Sequence, residues 1–268
     1  MPRIPTAQVC TYRGAVTSRV QIACAVSAAW LTASMRGHVS IDDALDTLTS
    51  VTGKVQFWQP ADLQPDGLPH ALHRWRQLGI SGWRYAPAAT ADTAGLPGPP
   101  AFVAAAVDTG AVLVSLDGAP VGLIAEPTEP RGAFVLSFRE VSTDGHGHVD
   151  HTTLADADRE FLSVLTDAIS TVERLDVAAW QDDVVAMLRD TDDVPATPPG
   201  WSERARRLAT RSHRVLEIVD LASQDAGGSR TAGEATVRSG VLRGVATAAR
   251  HAHAVAWNTG IFADERRR

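Results

Sequence analysis

Period-two alternation of apolar and polar residues is confined to one stretch of this chain, and that confinement sets the fold class. From Ala133 to Val141, Phe134, Leu136 and Phe138 fall on one side of an extended backbone, with Ser137 and Arg139 on the other. Just upstream, Val112 to Leu116 and Ala119 to Ala125 flank Asp117-Gly118. That dipeptide suits a type I′ hairpin turn, which needs positive φ at both central positions. Lys54 to Trp58 adds a shorter strand, bounded by Pro60. After residue 152 no strand pattern recurs. The expectation is an α+β fold: helices plus a small antiparallel sheet with one solvated face, followed by a C-terminal α-helical hairpin.

The remaining segments read as helices and their punctuation. Residues 1–13 read as an extended leader. A helix follows over Val16 to Arg36, with Val20, Ala23, Ser27 and Trp30 at helical spacing and Gly37 as its stop. Ser40-Ile41-Asp42-Asp43 forms a capping box that opens a helix to Val51. Leu68 to Leu78 is helical, with Pro69 in the tolerant first turn. Pro87 to Pro100 is a loop dense in breakers. Thr153-Leu154-Ala155-Asp156 caps a helix to Val172, and Asp176 to Arg189 is a further helix with Trp180 on its apolar side. A linker rich in Pro and Asp covers 191–200.

The last segment reads as two helices joined at Gly227-Gly228. The first, from Ser202 to Ser223, carries a seam of Ala205, Leu208, Ser212, Val215, Val219 and Ala222. The returning helix opens at the capping box Thr231-Ala232-Gly233-Glu234 and places Gly240, Gly244, Ala248 and Ala252 every four residues. Side chains that small let two backbones approach, in the hairpin or in a second copy. The expected domains are an α+β domain over 14–190 and the hairpin over 201–258.

Composition excludes several classes. With 268 residues and 44% hydrophobic content there is material for a real core without a disulfide framework, and Cys10 and Cys24 read as reduced thiols of a cytoplasmic protein. The most apolar stretch, Val20 to Met35, is shorter than the ~20 residues of a membrane-spanning helix. It reads as a buried helix, and no membrane partner is expected. The basic residues are 24 arginines and the single Lys54, so nearly every positive charge is a planar guanidinium suited to carboxylate or phosphate. Residues 1–200 carry a net charge of −11 and residues 201–268 carry +5. Within the basic part, Arg204, Arg207, Arg211 and Arg214 make one stripe along a helix, a candidate face for an anionic or acidic partner.

One segment has the residue types of a metal site. In Asp144-Gly145-His146-Gly147-His148-Val149-Asp150-His151, three histidines and a carboxylate follow the order H-x-H-x-D-H. The order resembles the motif by which the metallo-β-lactamase superfamily of hydrolases holds metal ions that activate water. The resemblance implies His146, His148, Asp150 and His151 as ligands, with zinc as the cofactor. That superfamily also needs several strands after the motif, where this chain shows none. Asp144-Gly145 and Gly147 read more simply as a turn leaving the strand that ends at Val141. The hairpin around Asp117-Gly118 faintly resembles the central strands of acetyl-CoA-dependent N-acetyltransferases, without their Gly-rich pyrophosphate turn.

Elsewhere, His251 and His253 lie two apart on a helix and point in different directions. Trp58, Trp75, Trp83 and Tyr85 surround the proline loop, where they line a groove or anchor the loop to the core. No phosphate loop, nucleophile elbow or Cys/His nucleophile pair is present. These observations favour a non-enzymatic binding or regulatory protein without a cofactor. It would use the basic hairpin for self-association as a homodimer or for an anionic partner. The alternative is a metal-dependent hydrolase working through residues 146–151.

Overall fold

A computed structural model describes residues 6–59, 64–93, 95–128, 134–174, 196–224 and 232–261. Among them are seven helices and five strands. In order they are α1 (Thr6–Met35), α2 (Ile41–Thr52), β1 (Val55–Trp58), α3 (Leu68–Gln77), β2 (Trp83–Pro87), α4 (Pro100–Thr109), β3 (Ala111–Ser115), β4 (Val121–Thr128), β5 (Val135–Ser142), α5 (Leu154–Arg174), α6 (Glu203–Gln224) and α7 (Ala232–Ile261). The fold is mixed α+β and ends in a helical pair, α6 and α7. Two compact units are present. A sheet unit comprises Arg19–His151, Pro195–Ser202 and Trp257–Arg268, and a helical unit comprises Met1–Ser18, Thr152–Val194 and Glu203–Ala256. The helix expected over 176–189 and the turn at Gly227-Gly228 lie outside the described residues.

The sheet runs β1-β5-β4-β3-β2. It is mixed rather than wholly antiparallel: β1 pairs parallel with β5, Phe57 opposite Phe138, while the other three pairings are antiparallel. β5 keeps the expected alternation, with Leu136, Phe138 and Glu140 buried between half-buried neighbours. The expected wet face is absent at the centre, where all five residues of β3 are buried. The reason is α4, a helix that starts where the breaker-rich loop ends, at Pro100, in a stretch to which the sequence pattern assigns no element. Its Phe102 and Ala106 pack on Val112, Val114 and Ile124, together with Ala86 and Ala88. The opposite side of β3 meets α1, whose Cys24 thiol lies 3.8 Å from Ala111 O. Burial pushes that thiol's pKa up, leaving an inert, protonated sulfur.

α1 is buried from Val20 to Ser34 at every position except the half-buried Ile22. Its Thr32 hydroxyl accepts from Trp83 N at 2.8 Å, bonding the helix to edge strand β2. The helix begins at Thr6, so residues 6–13 are helical and not an extended leader. β2 was also illegible: it ends in Pro87, which an edge strand tolerates. The tryptophans build core: Trp75 meets Phe57 edge-on at 5.0 Å and Trp83 at 4.7 Å.

The β3–β4 connection spans Leu116 to Pro120, longer than a two-residue hairpin turn. It docks on the segment after α3: Asp117 Oδ1 accepts from Ser81 N at 2.6 Å, and Ala119 N donates to Leu78 O at 2.9 Å. Gly118 sits at φ +66, and a Cβ there would fall 2.3 Å from the Gly79 carbonyl carbon. The glycine therefore serves docking as well as turn geometry.

A partly buried ion triad ties the short edge strand to the sheet. Asp66 exchanges both backbone hydrogen bonds with Phe57 of β1. Arg74 on α3 reaches Asp66 with one terminal nitrogen and Glu140 of β5 with the other. Trp75 Nε1 also donates to Glu140 Oε1 at 3.0 Å. Removing the cation alone would leave Glu140 as a charge inside the core. Arg74→Met is therefore expected to cost about 3–5 kcal/mol in urea unfolding, whereas Arg74→Met with Glu140→Gln recovers much of that loss.

Candidate functional site

Two groups of residues qualify by chemistry, one in each unit. In the sheet unit the histidine turn is knitted to the proline loop. Asp144 N donates to Gly98 O at 2.9 Å and His148 N to Gly95 O at 3.2 Å. Between the two segments lies Arg84 of β2, only 7% exposed, donating through Nη2 to Gly95 O at 3.0 Å and His146 O at 3.2 Å. Burial lowers its pKa, and the charge of Asp150 opposes that shift.

His146 is anchored from the other side. Its Nδ1 lies 3.0 Å from Ser115 O and 3.1 Å from Ser115 Oγ. A carbonyl can only accept, so Nδ1 carries the proton in the bond to Ser115 O. Gly147 has φ +68, and a Cβ there would stand 2.2 Å from Gly95 O and 3.1 Å from Arg84 Nη2. His148, Asp150 and His151 are exposed. Among the described residues no three His, Cys, Asp or Glu side chains gather where they could hold a metal ion, so the structure does not bring the four H-x-H-x-D-H residues together as a ligand set. What they form is a turn held by its backbone and by one guanidinium.

In the helical unit, the arginine stripe is partly occupied by the unit's own acids. Glu203 takes Arg206 at 2.7 Å and Arg207 at 3.1 Å. Arg211 pairs with Asp158 of α5 and lies over the Phe161 ring at 5.8 Å. Arg204 is exposed and Arg214 half-buried. The α6 seam faces inward as its spacing predicts, with Ala205, Leu208, Ser212 and Val219 buried. On α7, Val245, Ala252 and Val255 are buried, while Gly240 and Gly244 are exposed. Arg238 Nη2 donates to Ala222 O at 2.7 Å, satisfying a carbonyl in the last turn of α6.

Sequence reasoning missed one pair here. His213 of α6 and His253 of α7 are both buried, with ring centroids 5.6 Å apart. In sequence the two stand out only singly, as histidines downstream of the H-x-H-x-D-H motif, and each falls next to a seam position, beside Ser212 and Ala252. His251 points elsewhere, its Nδ1 3.9 Å from Glu160 Oε2 on α5.

Residues 24–151 match the N-terminal domain of Rv1486c-like protein, and residues 155–254 match its C-terminal domain. Between them the two matches cover most of the chain. It belongs to the Rv1486c-like family. No curated protein and no solved structure matches it. In this Rv1486c-like chain the junction between the matched segments falls just before α5, so α5 lies in the same matched segment as α6 and α7. The Asp158–Arg211 ion pair is one of the contacts that hold α5 to α6. No helix among the described residues is long and apolar enough to cross a membrane.

The knitted turn makes a direct prediction. Gly147→Ala forces both an unfavourable φ and a clash with the Gly95 carbonyl, so a loss of about 1–3 kcal/mol is expected in thermal or urea unfolding. Gly145→Ala is the control for the clash, because a Cβ at Gly145 meets nothing within 4 Å.

Proposed function

We propose that this Rv1486c-like protein is a non-enzymatic binding protein that self-associates through its helical unit. The observation that carries the reading is the open glycine stripe of α7. Gly240 and Gly244 lie inside a 30-residue helix, and a Cβ built at either meets nothing within 4 Å. Glycine in a helix interior costs roughly 1 kcal/mol against alanine. Packing among the described residues gives no return for that cost at these two positions. Val237, one turn before Gly240, is 46% exposed.

The same unit exposes Leu162 and Ile169 on α5, at 44% and 58%. A two-fold interface must be complementary to itself, and a stripe of small residues fits its own copy because neither side obstructs the other. The alternative partner, an anion on the arginine stripe, is less well supported. Glu203 and Asp158 already engage Arg206, Arg207 and Arg211.

Sedimentation equilibrium decides between them. The parent protein is expected to dimerise at micromolar concentration, and Gly244→Leu to sediment as a monomer. Because a Cβ at Gly244 meets nothing within 4 Å, the variant is expected to keep the fold of the monomer, seen as an unchanged far-UV circular dichroism spectrum. A parent that stays monomeric up to about 1 mM, where an interface worth more than ~4 kcal/mol would show, defeats the reading. Salt-sensitive retention on heparin that is lost in Arg207→Glu with Arg211→Glu would point to the anionic partner instead.

A further inference from the structure

We infer that His213 and His253 make the α6–α7 pair a proton-sensitive joint, closed while both imidazoles are neutral and loosened as the medium becomes mildly acidic. The geometry is that of two like groups with little room to separate. His213 is 8% exposed and His253 1%, and their rings lie 5.6 Å apart at a tilt of 34°. Leu208, Ala209 and Ser212 are buried around His213 on α6, and Ala249, Ala252 and Ala256 around His253 on α7. Two imidazolium ions at this distance would repel each other, and so little exposure leaves water a small share in screening them.

Among the described contacts of charged groups near the joint, one can offset a charge on His213 and others are directed to α5. On α6, Glu217 stands one turn after His213, with Oε1 3.3 Å from Nε2, and forms an ion pair only when that ring is protonated. Arg211, also on α6, is turned to Asp158 of α5. On α7, His251 lies beside Glu160 of α5. Glu217 can therefore offset a first charge on His213, but a second on His253 meets the first across the seam.

Burial, and then the neighbouring His213, hold the His253 imidazole well below its ordinary value of 6.5. In the opened state the same ring titrates near about 6.5. Below that pH the opened state binds a proton that the closed state excludes. Joint stability is thus complete above pH 6.5 and declines as the pH falls, by up to about tenfold in the opening constant per pH unit for each extra proton.

The test is hydrogen exchange of the full chain between about pH 7.5 and about pH 5, corrected for the intrinsic exchange rate, in parent and His253→Leu. The expected result is lost protection in α6 and α7 of the parent on acidification, with little pH dependence left in the variant. A parent whose α6 and α7 protection does not change over this range overturns the inference, as does a variant that keeps the full dependence. Should His253→Leu fail to fold, the imidazole resonances of the parent decide. A His253 ring that stays neutral at pH 6 until α6 and α7 open supports the joint. A His253 that titrates near its ordinary value with both helices intact overturns it. None of these readouts depends on the oligomeric state.

Discussion

A helix with no polar face has to be covered on every side, and this requirement organises the sheet unit. From Val20 to Ser34, α1 leaves almost nothing in contact with water. A surface helix buries one stripe and solvates the rest, so α1 is interior by composition alone. The sheet covers it through the polar atoms it does have. The Thr32 hydroxyl bonds to the Trp83 backbone in both directions, at 2.8 and 3.2 Å. Gln21 Nε2 reaches Gly110 O at 3.4 Å. Each of these joins the helix to strand ends flanking β3, whose own residues are all buried. With α1 on one side of the sheet, α4 has to close the other, and the apolar, Ala-rich sequence of α4 is what such a position accepts.

Features decided within a few residues were legible in the sequence. Ser40 Oγ accepts from Asp43 N at 3.0 Å and Thr153 Oγ1 from Asp156 N at 3.2 Å, as the capping patterns require. The carboxylates did not reach back to the cap backbone as a full capping box has them do; each accepts from the cap hydroxyl instead, at 2.6 and 2.7 Å. Asp156 is held below its ordinary pKa by Thr153 and then Arg159. The α4 helix carried a local signal as well, proline at its first position and Gly110 at its left-handed end. Its uniform apolarity hid it, because it lacks the 3.6-residue contrast that marks a helix.

What was not legible depends on pairings remote in sequence. The parallel partnership of β1 with β5 is fixed by Asp66, Arg74 and Glu140, none of which signals it in isolation. The histidine turn is the sharper case. Its ligand-like order is real, yet the ring of His146 is held through Nδ1 by Ser115 of β3, and its backbone by Arg84 of β2. A motif of six residues records which side chains are available. Whether they converge is decided by the sheet beneath them.

The helical unit obeys a different rule. Its helices keep polar and small residues where stability alone would favour larger apolar ones. Leucine or phenylalanine at 213 and 253 could fill the seam without the cost of burying ring nitrogens, and alanine at 240 and 244 would raise helix propensity at no steric cost. The histidines interrupt a face whose other positions are apolar or small, with Leu208, Ala209, Val219, Ala249, Ala252 and Ala256 buried along it. The two departures also lie on opposite sides of the same helix, one turned to α6 and one to open space. α7 therefore carries a buried imidazole toward α6 and, earlier along the helix, two exposed glycines, and neither choice is the one that helix stability alone would make.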